Sequence, residues 1–283
     1  MSLLDGKKLS TSLKEQIALR VKELKKEGIE PCLAVILLGE NSASLSYVGN
    51  KAKACEACGI KSLLYKLSEQ TTQNELLALI NTLNYDDSVD GILVQLPLPA
   101  HINKNVILES INSNKDVDGF HPFNVGSLNL GLQSGFLPCT PAGVITLLKH
   151  YDISLSGLDA VVIGASNIVG RPMATLLLNE GASVSICHIK TKELSLYTKR
   201  ADLIVVAAGS PNLVRADMIK EGAIIVDVGI NRVNDKLVGD VDFKEVGKKA
   251  SLISPVPGGV GPMTIAMLLE NTLKAAKNRL KMS

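Results

Sequence analysis

Short runs that are apolar at nearly every position recur along this chain, each separated from the next by a segment with helical periodicity. CLAVILLG, KSLLYKL and GILVQLPLP mark the first half, and DAVVIG, ASVSIC, DLIVVAAG, AIIVDVGI and SLISPV mark the second at tighter spacing. A strand without polar alternation is buried on both faces, and intervening helices supply the crossovers that parallel pairing needs. The chain is therefore expected to be α/β, with parallel sheets covered on both sides. Its 283 residues accommodate two domains.

Local signals place the helices. Ser10 or Thr11 is expected to cap a first helix reaching about Gly28. Asn41 to Cys58 reads as a second and TTQNELLALINTLN as a third, also capped. In CTPAGVITLLKHY, Thr140 and Pro141 suit the N-cap and first-turn positions. A last helix, from about Met263, carries Ile265, Leu268, Leu269, Thr272, Leu273 and Ala276 on one face. That face needs a partner surface, which the first domain offers. The expected division is 1–139, an N-terminal α/β domain; 140–263, a doubly wound parallel-sheet domain; and 264–283, a helix packing back on the first.

Composition removes several function classes. Net charge is only +2, aromatics are 3% and Trp is absent, so neither a basic groove nor a stacking platform for nucleic acid is expected. No window approaches the ~18 apolar residues of a membrane span, and MSLLDGKKLSTSLKEQ lacks the apolar core of a signal peptide. Five cysteines, an odd number in mostly apolar segments, fit a reducing cytoplasm. Cys55 and Cys58 form C-x-x-C, a spacing that suits redox or metal chemistry. With no second pair at ligand spacing they read as structural helix cysteines, and no metal site is expected.

The stretch GASNIVGRP, Gly164 to Pro172, follows an apolar strand and nearly spells a dinucleotide fingerprint. Val169 and Gly170 break the spacing of a Walker A loop, and Ile168 stands where a nucleophile elbow needs glycine. A modified Rossmann turn and a plain strand-to-helix turn remain. In the former, Gly164 permits the bend, Ser166 offers a hydroxyl and an N–H to phosphate, and the helix start adds its dipole. The four strands that follow favour the Rossmann reading. NAD sites place an Asp or Glu ~20 residues further on. Here CHIKTK has no carboxylate, whereas Lys190, Thr191 and Arg171 suit a 2′-phosphate. The sequence leans to NADP, with a solvated basic loop as the alternative.

The first half holds a second constellation. Tyr47 and Lys51, four residues apart, share one helix face. Beside Leu45, Val48, Ala52 and Cys55 they stand at the edge of the buried stripe, where an amine suits acid–base work. Gln95 ends an apolar strand, where open parallel sheets present ligand groups. Asp116 and Asp118 flank the glycine turn of KDVDGF, where a carboxylate can accept the paired N–H donors of a pterin. A surface pair, a sheet-end amide and an Asx turn are the plain alternatives.

YVGNK, VQLPLP, KDVDGFHPFNVG, PCTPAG, GASNIVGRPM and SPVPGGVGPMT, in that order, resemble the motifs of one family over essentially the whole chain. It is the bifunctional methylenetetrahydrofolate dehydrogenase/methenyltetrahydrofolate cyclohydrolase family, known as FolD in bacteria. The resemblance implies a folate-binding catalytic domain followed by a Rossmann NADP domain, and a cytoplasmic homodimer acting on tetrahydrofolate derivatives. It makes Lys51 the acid–base residue, Tyr47 a group that stacks on or orients the folate, Gln95 the partner that positions Lys51, and Asp118 the pterin ligand. Val94 and Leu96 flank Gln95 in the folate site. Gly164, Ala165 and Ser166 fall on the pyrophosphate turn, Ile189 on the adenosine end, and Ile230 on the nicotinamide side. Pro257, Gly258, Gly259, Val260, Gly261, Pro262, Met263 and Thr264 match a loop shared by folate and nicotinamide. Some relatives carry Arg at the place of Ala165 and Ser at the place of Ile189; this chain has neither.

The implied chemistry suits these residues. Hydride transfer from the methylene carbon needs alignment and no strong base, whereas hydrolysis of the methenyl cation needs proton shuffling, for which Lys51 is suited. A pocket between the two domains would serve both steps. A shikimate-type dehydrogenase, or a non-catalytic NADP-sensing module, would not need Lys51, Gln95 and Asp118 together.

Overall fold

The computed structural model describes residues 2–132, 134–234 and 236–282. The chain opens with β1 (Ser2–Leu3), α1 (Gly6–Lys26), β2 (Cys32–Leu38), α2 (Ser42–Cys58) and β3 (Lys61–Leu67). It continues through α3 (Gln73–Asn84), β4 (Gly91–Val94), α4 (Lys104–Ser110), α5 (Pro122–Asn129) and α6 (Cys139–His150). The alternation then tightens through β5 (Asp159–Ile163), α7 (Gly170–Asn179), β6 (Ser183–Cys187), α8 (Leu194–Thr198), β7 (Leu203–Val206) and β8 (Ile224–Asp227). The short pair β9 (Asn231–Val233) and β10 (Lys236–Val238), then α9 (Phe243–Gly247), β11 (Leu252–Ile253) and α10 (Val260–Met282), complete it.

Two compact units result. One contains residues 12–139 and the chain from Ile265 onward; the other contains the residues up to Thr11 with Thr140–Thr264. The expected first domain, 1–139, is corrected at its start. Ser2 and Leu3 pair in parallel with Leu252 and Ile253, so β1 is the edge strand of the larger sheet. Nothing in the sequence of so short a strand announces its partner.

In the three-stranded unit the order is β3-β2-β4, all parallel. Every residue of β2 is buried. Leu33, Val35 and Leu37 pack on one side with Val48 of α2 and with Leu268, Leu269 and Leu273 of α10. Ala34, Ile36 and Leu38 pack on the other with Leu76 and Ile80 of α3 and Ile107 of α4. The two-residue period of a strand thus feeds two cores from one apolar run. Cys55 and Cys58 belong to the first of these cores. Both are free thiols, and burial pushes that of Cys55 up to about 12, which leaves it inert at neutral pH.

The six-stranded unit has the order β1-β11-β8-β7-β5-β6, parallel throughout. From β5 the chain goes to β6 on one side and then to β7 on the other, which makes the end of β5 a topological switch point. The antiparallel pair β9–β10 stands apart from this sheet and was not foreseen.

Helix ends follow local chemistry, with three corrections. Thr72 and Glu75 form the reciprocal capping box of α3. α1 starts a turn before Ser10: Asp5 Oδ1 accepts from Lys8 N at 2.9 Å, while Ser10 and Thr11 donate back to Lys7 O. The polar first turn, GKKL, hid this start. α10 likewise begins at Val260 rather than Met263, because a proline at 262 is tolerated in a first turn whose N–H groups have no helical partner. α6 begins at Cys139, with Thr140 already inside it; the Thr140 hydroxyl meets that of Thr264 at 2.9 Å. Among the described residues no helix is long and apolar enough to cross a membrane.

Candidate active site

The polar groups gather where the parallel strands end. In the three-stranded unit β2 runs into α2, which carries Tyr47 and Lys51 on one face, and β4 runs into Gln95. Gln95 N still donates to Ile36 O at 2.8 Å, so the backbone of Gln95 is held by the central strand. Its side chain is held as well. Nε2 donates to Leu96 O at 2.8 Å, which turns Oε1 outward to accept from Lys51 Nζ at 3.0 Å. The orientation matters, because a flipped amide would set two donors against each other. Lys51 and Gln95 are both half-buried. Tyr47, 36% exposed, presents its ring at the same helix face, and partial burial raises its hydroxyl pKa.

The KDVDGF segment lies alongside β4, with Ile92 N donating to Lys115 O at 2.8 Å. Its two carboxylates have different employment. Asp116 is buried, and its Oδ2 accepts from His121 N (2.7 Å) and Asn124 Nδ2 (2.8 Å), so it closes the loop on itself. Asp118 takes no part in that closure; its side chain meets the Cys139 thiol, with the Lys51 charge nearby. Burial raises its pKa, opposed by the nearby Lys51 charge and by contact with the Cys139 thiol. Gly119, at φ +77°, has Leu137 C only 2.7 Å from where a Cβ would stand, so the turn admits no side chain. Asn271 of α10 donates to Val117 O (2.8 Å) and Leu137 O (3.0 Å), tying both sides of this turn together. Sequence reading missed Asn271; an amide on an otherwise apolar helix face was its signal.

In the six-stranded unit the glycine turn occupies the switch point. Gly164, at φ +120°, would place a Cβ 2.2 Å from Ala207 O, and a Cβ on Gly170 would stand 2.0 Å from Gly164 O. Both are obligatory glycines of close backbone approach, and the cradle they form suits a pyrophosphate. Ser166 Oγ accepts from Val169 N at 3.1 Å, so its hydroxyl organises the start of α7. Arg171 Nε donates to Ala165 O at 3.2 Å and folds back over the turn. Ile163 pairs with Cys187, so the loop after β6 ends level with the turn. That loop is shaped by His188 N donating to Thr191 Oγ1 (2.8 Å), and it leaves Ile189 and Lys190 exposed. Ile230 follows β8, 45% exposed.

The run from Pro257 to Thr264 enters α10 in this same unit. Lys7 N donates to Gly258 O at 2.8 Å, and Gly6 sits against Gly259 with no room for a Cβ between them. Val94 is buried at the end of β4, and Leu96 is half-buried beside Gln95.

Two family models match this chain. Residues 4–118 match the tetrahydrofolate dehydrogenase/cyclohydrolase catalytic domain, and residues 138–280 match the NAD(P)-binding domain of the same enzymes. The bifunctional protein FolD of Campylobacter jejuni is 73% identical over 281 residues, covering 99% of this chain and 100% of that one. The chain belongs to the tetrahydrofolate dehydrogenase/cyclohydrolase family. A crystal structure of the C. jejuni enzyme superposes with a TM-score of 0.97 over 99% of each chain, at 73% identity. The Trypanosoma brucei enzyme, solved with NADP and an inhibitor, gives 0.95 at 38% identity over 98% of this chain and 97% of its own. The family's catalytic-domain match holds Tyr47, Lys51, Gln95 and Asp118, and its NAD(P)-binding match holds the Gly164–Gly170 turn and Ile230.

Two further carboxylates were not singled out from the sequence. Asp227 and Asp240 are sealed into the NAD(P)-binding domain at the ends of its strands. Burial raises Asp227 to about 6 despite three backbone N–H bonds to its carboxylate. An acid with a raised folded pKa stabilises the fold below its ordinary value, about 4, and loses that contribution as pH climbs to about 6. The cost is on the order of 2–3 kcal/mol at neutral pH. Thermal unfolding followed between pH 4.5 and 7 is expected to show falling stability in the native protein and a shallower fall in Asp227→Asn. Equal slopes would remove Asp227 from the response.

Proposed function

We propose that this protein oxidises methylenetetrahydrofolate to methenyltetrahydrofolate with NADP and hydrolyses that product to formyltetrahydrofolate, both reversibly. The observation that carries the reading is the Lys51–Gln95 contact at the strand ends, in a chain that matches both domains of the family. Cofactor binding is supported by the Gly164–Gly170 turn, whose two end glycines pack backbone on backbone with no room for a Cβ at either. Bound NADP supplies the two-electron acceptor for the hydride.

The side chains divide the remaining work. Asp118 accepts N–H donors of the pterin, and an ionised carboxylate makes those bonds charge-assisted. Tyr47 lays its ring against the folate. For the oxidation these groups supply alignment, because the hydride leaves a carbon already activated by its two nitrogens. For the hydrolysis Lys51 Nζ takes a proton from the attacking water and returns one to the departing nitrogen. Gln95 holds Lys51 in place through Oε1. On the cofactor, Lys190 and Arg171 provide positive charge for a 2′-phosphate, in place of the Arg and Ser side chains that Ala165 and Ile189 do not offer.

A homodimer through the NAD(P)-binding domain is part of the same reading. Its sheet ends in β6, an edge strand with Ile186 43% exposed, and an open edge offers unpaired backbone groups to a second copy. Light scattering is expected to give twice the chain mass; a single-chain mass at micromolar concentration would remove the dimer.

Incubated with methylenetetrahydrofolate and NADP, the protein is expected to generate NADPH, which neither a shikimate-type enzyme nor a cofactor-sensing module would do. In Lys51→Met, methenyl hydrolysis should fall by roughly 100- to 10,000-fold, with NADPH formation still measurable. Hydrolysis at the native rate would exclude Lys51 as the proton carrier.

Lys190→Glu places a negative charge beside the phosphate site. The KM for NADP is expected to rise several-fold more than the KM for NAD. Equal changes for the two cofactors would take Lys190 out of phosphate recognition.

A further inference from the structure

Two buried carboxylates lace together the loops at the carboxyl ends of β7 and β8. Asp240, fully buried, accepts from Ala208 N (2.7 Å) and Gly209 N (2.8 Å) on Oδ2, and from Ser210 N and Asn231 Nδ2 (2.8 Å each) on Oδ1. Asp227, 3% exposed, accepts from Gly229 N and Asp240 N (3.0 Å each) on Oδ1 and from Val241 N (3.0 Å) on Oδ2. Three successive N–H groups converging on one anion make a nest of the kind that binds phosphate. Here the chain fills its own nest.

The fit is sterically closed. A Cβ on Gly229 would lie 2.2 Å from Asp240 Cγ, and one on Gly239 would lie 1.8 Å from Asp227 Oδ2. Neither carboxylate can shift toward its glycine, and neither glycine can be replaced without displacing a carboxylate. Between the two anchors lies Ile230. Its predecessor, Gly229, is held by Asp227, and its successor, Asn231, is held by Asp240.

We infer that Asp240 is a positioning residue for the cofactor: by fixing the turn 208–210 and the side chain of Asn231, it sets the place at which Ile230 meets the nicotinamide half of NADP. This rests on the reading of Ile230 as a cofactor contact given above. The physical case is that residues 208–210 and 229–230 lie just beyond β7 and β8, where the parallel ladder gives out, and Asn231 then opens β9. A carboxylate with four donors supplies the missing order, and charge-assisted bonds in a buried setting are the strong ones.

The experiment compares Asp240→Asn, Asn231→Ala and Ile230→Ala in the full-length protein, with NADPH formation and NADP-free methenyl hydrolysis measured on each. Asp240→Asn turns one acceptor into a donor facing N–H groups, and Asn231→Ala removes the Nδ2 bond to Asp240 together with a longer one to Val238 O. The KM for NADP is expected to rise at least tenfold in Asp240→Asn and about threefold in Asn231→Ala. The kcat at saturating NADP should stay within about threefold, and methenyl hydrolysis within about twofold, of the native values. If Asp240→Asn fails to fold, Asn231→Ala decides. An unchanged KM for NADP in the Asp240 and Asn231 variants, with a raised one in Ile230→Ala, overturns the positioning role and leaves the cofactor reading standing. Parallel losses in both activities also overturn it, since they mean general destabilisation. An unchanged KM in Ile230→Ala overturns the cofactor reading of Ile230, and the positioning role with it.

Discussion

Parallel strands buried on both faces leave a chain only one kind of place for polar chemistry, and that is beyond the strand ends. β2, β4, β5, β7 and β8 are buried almost throughout. A polar side chain along their length would lack a partner, at a cost of several kcal/mol, unless backbone N–H groups meet it as they do Asp227 at the end of β8. The candidate site residues accordingly stand one to a few residues past the carboxyl ends: Gln95 after β4, the Gly164 turn after β5, Lys190 after β6 and Ile230 after β8. The switch points of the two sheets decide which of these ends open toward a ligand.

Close backbone approach is the second constraint. Gly119, Gly164 and Gly170 each stand where a Cβ would overlap a backbone atom, and Gly229 and Gly239 stand where it would overlap a carboxylate. In the first group glycine brings two segments of chain together at a turn. In the second it makes room for an anion. Glycine at these positions thus shapes the sites more directly than any capping or propensity effect.

The four buried or half-buried aspartates near the sites show how one residue type is put to different uses by its donors. Asp116 spends its carboxylate on His121 N and Asn124 Nδ2, and Asp227 and Asp240 spend theirs on loop N–H groups. Asp118 has the Lys51 charge and the Cys139 thiol nearby and closes no loop of its own. Burial raises the pKa of Asp116, Asp118 and Asp227, and N–H groups or a nearby cation oppose it by replacing the water each anion lost.

The sequence by itself determined the strand and helix alternation, the capping of α3, the glycine turn, and the residues of both constellations, because these depend on local periodicity and on side-chain type at fixed spacing. Lys51, Gln95 and Asp118 were legible as candidates for that reason. The Lys51–Gln95 bond was not, since it needs an amide orientation set by Leu96 O, and neither was the loop that Asp116 closes on itself. Nor could the chain announce that Ser2 and Leu3 join the far sheet, that Asn271 braces the Asp118 turn, or that Asp240 fills a nest 30 residues before it. Such contacts join segments far apart in sequence through single hydrogen bonds, which leave no period in the chain; only tertiary structure decides them.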